Sequence, residues 1–128
     1  MLRLAAPEAD NDFAILSVAI VEFRSAVRRR QDAGDLEPNV ATGLVELFHE
    51  HLETRFIRQP IVDFTVEAAA DLVDRYRLRA YDAIQLSGCL TVAGSATGCI
   101  FACADSALLE AARAEGLLVL DPSTAETT

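Results

Sequence analysis

Three carboxylates, Glu22, Asp82 and Asp105, fall in stretches whose neighbours are built for packing rather than for charge. Asp82 lies in Leu78-Arg79-Ala80-Tyr81-Asp82-Ala83-Ile84-Gln85-Leu86, in the first turn of an otherwise apolar helix. A charged group on a face that should be buried is costly unless it is paired, hydrogen-bonded or bound to a cation. Clustered carboxylates repel one another unless protonated or bridged, and a hard divalent ion such as Mg²⁺ or Mn²⁺ is the usual bridge. Such a site activates water and steadies the leaving oxygen in phosphodiester cleavage. Each acid also has a plain structural explanation. Asp105 before Ser106 suits a helix N-cap, Asp82 suits the positive end of a helix dipole, and Glu22 suits a solvated helix face. Spacing alone does not choose between the two accounts.

The elements that must position these acids are legible as alternating apolar runs. Residues 13–16 read as a short buried strand, with Ser17 as the cap of a helix over residues 18–33 that carries Glu22. Ile20, Val21, Phe23 and Val27 give that helix its apolar face, Arg28, Arg29 and Arg30 sit near its negative end, and Gly34 stops it. A second helix starts at Pro38 and ends near Glu53, with Val40, Leu44, Leu47, Phe48 and His51 at helical spacing. Residues 61–64 read as a strand after Pro60, and Thr65 as the cap of a helix whose face is Val66, Ala69, Ala70, Val73 and Tyr76. The helix carrying Asp82 spans about residues 80–93, with Ala83, Ile84, Ser87 and Leu90 on one face, and residues 94–98 break it. Residues 99–104 form a continuous small and apolar run that ends in Asp105, as in a strand buried on both sides of a parallel sheet. Leu108, Leu109 and Ala112 mark a helix stopped by Gly116, and residues 117–120 form a last strand. The order β-α-α-β-α-α-β-α-β predicts an α/β fold with a parallel sheet and its functional edge at the carboxyl ends of the strands.

A chain of 128 residues is long enough for one domain and too short for two ordinary ones, so a single core is expected. A hydrophobic content of 52% excludes a disordered chain. No apolar run approaches the roughly 18 to 20 residues that span a bilayer, and the N-terminus lacks a signal-peptide pattern, so the expected location is the cytoplasm, with no membrane partner. The net charge of −9 argues against nonspecific electrostatic binding to nucleic acid. It leaves room for local patches: all the basic residues are Arg, and Arg28, Arg29, Arg30 and Arg75, Arg77, Arg79 form two clusters suited either to phosphate contacts or to solvated helix ends. Cys89, Cys99 and Cys103 include no CxxC pair, and the last two stand about 13 Å apart along a strand rising about 3.3 Å per residue, too far to bridge. They read as small buried thiols. His49 and His51, two apart on a helix, point to different sides and make no ligand pair.

Arg79-Ala80-Tyr81-Asp82-Ala83-Ile84, then Cys103-Ala104-Asp105-Ser106-Ala107-Leu108-Leu109-Glu110-Ala111-Ala112, then Gly116-Leu117-Leu118-Val119-Leu120-Asp121-Pro122 resemble the C-terminal half of a PIN domain, the fold of VapC-type toxins. Upstream, Val21-Glu22-Phe23-Arg24-Ser25-Ala26 is similar to the helix that carries the family's second acid, so the resemblance covers about residues 13–122. It implies a three-layer α/β/α sandwich with a short parallel sheet. It also implies a Mg²⁺ or Mn²⁺ site, endoribonuclease activity on RNA, and an antitoxin partner that blocks the site. Glu22, Asp82 and Asp105 would be the second, third and fourth acids, both metal-holding and catalytic, and Arg79 a contact to substrate phosphate. A homodimer is expected as well.

PIN domains open with an apolar strand ending in Asp-x-Ser or Asp-x-Thr, and this sequence has no such element: Asp10 and Asp12 follow no apolar run. The family's first strand is central, between the strands expected at residues 13–16 and 99–104. Without it, open strand edges and uncovered apolar faces are expected. A start assigned too far downstream or a truncated gene is the preferred explanation. The others are a gap filled by residues 1–6, or by a strand from a second chain. If the chain is complete, metal affinity and RNase activity should fall well below those of an intact relative. The alternative function is a noncatalytic PIN-like module that binds antitoxin or dimerises.

Overall fold

A computed structural model describes residues 12–94 and 98–125. The expectations for residues 1–11, including the gap-filling segment, for residues 95–97 in the predicted break, and for the tail beyond Ala125 lie outside the described residues. The element order is β1 (Phe13–Leu16), α1 (Ala19–Asp32), α2 (Pro38–Thr54), β2 (Phe56–Gln59), α3 (Asp63–Tyr76), α4 (Ala80–Ala93), β3 (Ile100–Ala102), α5 (Ser106–Ala114), β4 (Leu118–Leu120) and α6 (Pro122–Ala125). It is a mixed α/β chain, mostly helical, and every strand pairing among the described residues is parallel. Among the described residues the strands form two separate pairs, β1 with β2 and β3 with β4. The chain divides into two compact units, one containing residues 12–60 and the other residues 61–125. Among the described residues, each unit has a cluster of buried residues.

In the first unit, Phe13 to Leu16 pair in register with Phe56 to Gln59. Strand β2 therefore precedes Pro60 instead of following it at residues 61–64. Proline has no N–H to give to a sheet, and Pro60 marks the end of the pairing rather than its start. The alternation of Phe56 with Arg58 hid this strand, since only part of it is apolar. Ser17 also departs from expectation. Its amide and hydroxyl both donate to the Gln59 carbonyl, at 2.9 and 3.3 Å, so it extends the sheet and does not cap α1. The helix stop at Gly34 is as expected: φ is +87°, in the left-handed region open to glycine, and Asp35 N–H returns to the Arg30 carbonyl at 2.9 Å.

Helix α2 buries Ala41, Val45 and Leu52, and Ala41 and Val45 cluster with Val27 of α1, with Phe23 and Leu36 alongside. Phe23 stacks on Phe48 at 4.2 Å between ring centroids, and Phe56 meets Phe13 edge-on at 6.2 Å. The stripe expected on the buried face is partly the wrong one, because Val40, Leu44 and Leu47 are exposed. Val21 of α1 is exposed too.

The second unit is built on the helical pair α3 and α4. Leu72 and Leu86 are fully buried, with Ala69, Leu78, Ala83, Phe101, Leu108, Ala111 and Ala112 around them. Thr65 lies inside α3 and does not cap it. Val62 stands at the cap position without a side-chain bond, and the buried Ser87 hydroxyl donates to the Thr65 carbonyl at 2.8 Å. The buried face of α3 is thus Thr65, Ala69 and Leu72, while Val66 and Ala70 face outward. Strands β3 and β4 pair Ile100 with Leu118, Phe101 with Val119 and Ala102 with Leu120. Phe101 is buried and Val119 joins it on the core, whereas Ile100 and Leu118 are exposed, so β3 is not covered on both sides among the described residues. The far end of α5 is tied to α3 through Glu115, which accepts from the Tyr76 hydroxyl at 2.5 Å and from Arg75.

Burial predicts a sharp contrast between two leucines. Leu72→Ala should cost about 2–5 kcal/mol, the range for a buried leucine that leaves a cavity, and Leu47→Ala within about 0.5 kcal/mol of nothing. Urea unfolding of the two variants checks it; equal losses would contradict the exposed placing of the α2 stripe.

Candidate functional site

Parallel pairing brings the carboxyl ends of β3 and β4 out at the same edge, and Cys103 N–H extends the pairing by donating to the Leu120 carbonyl at 3.1 Å. Asp105 follows the end of β3 and Asp121 follows the end of β4. Asp105 is exposed and is the N-cap of α5, its Oδ1 accepting from Leu108 N–H at 3.0 Å. The capping account is therefore correct for this acid, but it engages only one of the two carboxylate oxygens. Asp82 is half-buried in the first turn of α4, as expected.

Asp82 and Asp105 meet electrostatically at Cys103. Burial, above all, pushes the Cys103 thiol up. Its contact with the Asp105 carbonyl, at 3.6 Å, works the other way, and the charges of Asp105, Asp121 and Asp82 add to the rise. Three carboxylates from three segments thus bear on one sulfur at the end of β3. Within each unit, among the described residues, no group of three or more His, Cys, Asp or Glu side chains is arranged to hold a metal ion.

Asp121, which directly follows β4 as Cys103 directly follows β3, is the residue that sequence reasoning passed over as a candidate. Its Oδ1 accepts from the Ser123 hydroxyl at 2.6 Å and the Ser123 amide at 2.9 Å, opening α6. Those bonds, the hydroxyl first, hold its carboxyl below the usual carboxylate range.

Glu22 belongs to the other unit, half-buried in the first turn of α1, where its amide bonds to the Val18 carbonyl at 3.1 Å. Arg79 is exposed at the cap position of α4. Of the two arginine clusters, Arg75 is engaged with Glu115 and with Asp71 at 3.2 Å, which favours the structural account for that residue. His49 Nε2 meets Arg24 at 2.5 Å, and His51 lies edge-on to Phe56, so each histidine has its own neighbour. No helix among the described residues is long and apolar enough to cross a membrane. Comparison with protein-family models gives no match, and neither does comparison with curated proteins.

The cap separates geometry from charge at Asp105. Asp105→Asn should keep α5 within a few tenths of a kcal/mol and Asp105→Ala should lose about 1 kcal/mol, because Asn caps as well as Asp does. Chemical denaturation of both decides it, and equal losses would mean that the cap contributes nothing. For Asp121 the folded pKa lies below the unfolded one. Its stabilising contribution is thus complete above the ordinary value of about 3.9 and is lost as pH falls through the depressed value. A carboxyl-carbon NMR titration should place Asp121 below an ordinary aspartate, and Ser123→Ala should move it up.

Proposed function

We propose that this chain is a PIN-like, metal-dependent endoribonuclease of the toxin type, an α/β/α sandwich that cleaves RNA phosphodiester bonds and is held in check by an antitoxin protein. Its setting is the cytoplasm and its assembly a homodimer. The observation that carries the reading is the place of Asp105, which follows β3 at the carboxyl edge of two paired parallel strands, with the charges of both Asp82 and Asp105 raising the Cys103 thiol at that edge. The donor chemistry fits the group: carboxylate oxygens are hard ligands that suit Mg²⁺ or Mn²⁺, and the capping bond of Asp105 leaves its second oxygen's capacity intact. Asp82 and Asp105 would hold the ion. When bound, such an ion supplies an activated water and charge for the leaving oxygen. The chain's own part is positional: α5 holds Asp105 through the Leu108 amide, α4 carries Asp82, and exposed Arg79 offers a guanidinium to substrate phosphate.

A second reading, a noncatalytic PIN-like module that binds antitoxin or dimerises, draws support from the exposed Val40, Leu44 and Leu47 of α2.

Calorimetric titration with Mg²⁺ and Mn²⁺, together with cleavage of single-stranded RNA in the presence of either ion or a chelator, tests the proposal. Metal-dependent cleavage should fall on the order of a hundredfold in Asp82→Asn and in Asp105→Asn, the scale of losing one group that stabilises transition-state charge. Binding heat should fall with it. Cleavage indifferent to both substitutions would refute the site, and the absence of any metal binding that depends on Glu22, Asp82 and Asp105 would favour the noncatalytic module.

A further inference from the structure

Two of the three cysteines, none of which has a part in the proposed hydrolysis, are neighbours in space. Cys89 lies in α4 and is packed on the cluster around Leu86, while Cys99 immediately precedes β3. Their sulfurs are 3.9 Å apart, although ten positions separate them along the chain. Both are free and half-buried. We infer that Cys89 and Cys99 form an oxidisable pair, converted by hydrogen peroxide into an intrachain disulfide that fastens α4 to the start of β3.

The geometry requires little movement. A disulfide has sulfurs about 2.05 Å apart, so the two must approach by roughly 1.9 Å. A cysteine sulfur moves by about 3 Å between staggered χ1 rotamers, so side-chain rotation covers the distance. Cys103 is placed differently, its sulfur directed at the Asp105 carbonyl at 3.6 Å.

The order of events is assigned from the burial of Cys89. Burial, then the charge of Cys99 and a hydrogen bond with it, push the Cys89 thiol up to about 12. Cys89 therefore carries almost no thiolate near neutral pH, and thiolate is the nucleophile. Cys99 attacks one peroxide oxygen and the O–O bond breaks. Cys99 becomes a sulfenic acid, and the departing hydroxide takes up the thiol proton as water. Cys89 then attacks the Cys99 sulfur, the S–O bond breaks, the S–S bond forms, and the hydroxyl leaves as a second water with the Cys89 proton. Two thiols give up two electrons and two protons, and one peroxide becomes two waters.

The test uses the reduced chain treated with one equivalent of hydrogen peroxide, then alkylated and digested with chymotrypsin. Trypsin would leave all three cysteines in one peptide, since no Arg or Lys lies between Ala80 and Ala112, whereas cleavage after Leu90 and Phe101 separates them. Free thiols should fall from the three of the reduced chain to one, with the loss of two hydrogens in a monomer and a Cys89–Cys99 linked peptide. Cys103→Ser should leave that link unchanged, and Cys89→Ser should halt Cys99 at a sulfenic acid that dimedone captures. Retention of three free thiols, a link to Cys103, interchain dimers as the main product, or Cys99 oxidised beyond sulfenic acid without a link would each overturn the inference. The peptide map of the unsubstituted chain decides the matter even if Cys89→Ser fails to fold.

Discussion

Parallel strands cannot be joined by a tight turn, and the unit of residues 61–125 is arranged around that constraint. After β3 the chain must travel back before β4 can lie beside it in the same direction, and α5 makes the return. The return succeeds because Leu108, Ala111 and Ala112 are buried with Phe101, so the helix is held to the strand it leaves. Gly116 then reverses the chain at φ +90°, with Leu117 N–H bonded to the Ala112 carbonyl at 3.0 Å, and β4 begins. Because the two strands run the same way, whatever follows each of them emerges at one edge. That puts Asp105 and Asp121 at the same edge, and it makes Asp105 an N-cap and a candidate ligand at once.

The α3 and α4 pair supplies the rest of that edge. Its interior is nearly all apolar and includes a polar tie, the Ser87 hydroxyl on the Thr65 carbonyl. A buried hydroxyl left without a partner is costly, so this bond disfavours sliding of α4 along α3. Position along α4 decides where Asp82 lies, and its charge reaches Cys103 at the end of β3.

The sequence made element types legible more readily than it made faces legible. Helices α1, α2 and α4, strand β1 and the stops at Gly34 and Gly116 follow from apolar spacing and from glycine's access to positive φ, and all stand where they were expected. Helix α2 shows the limit. Val40, Leu44 and Leu47 recur at helical spacing as regularly as Ala41 and Val45 do, and the larger residues are the exposed ones. Periodicity identifies a helix that has apolar stripes. Which stripe is covered depends on the partner, here the Val27 side of α1. Strand β2 shows the converse case: Arg58 and Gln59 weaken its apolar pattern, and it exists because β1 offers a parallel edge in register.

Among the candidate site residues, the sequence by itself determined the local positions of Asp82 and Asp105, a first helical turn and a strand end, because both are set by chain-local hydrogen bonding and apolar pattern. Tertiary structure alone decided their company. Asp121 and Cys103 join them through the pairing of β3 with β4, a contact between segments separated by a whole helix, and the nearness of Cys89 to Cys99 arises in the same way from packing of α4 near the start of β3. Spacing along a chain carries no record of which distant segments will meet. That is settled only when burial and strand pairing select one arrangement of the elements.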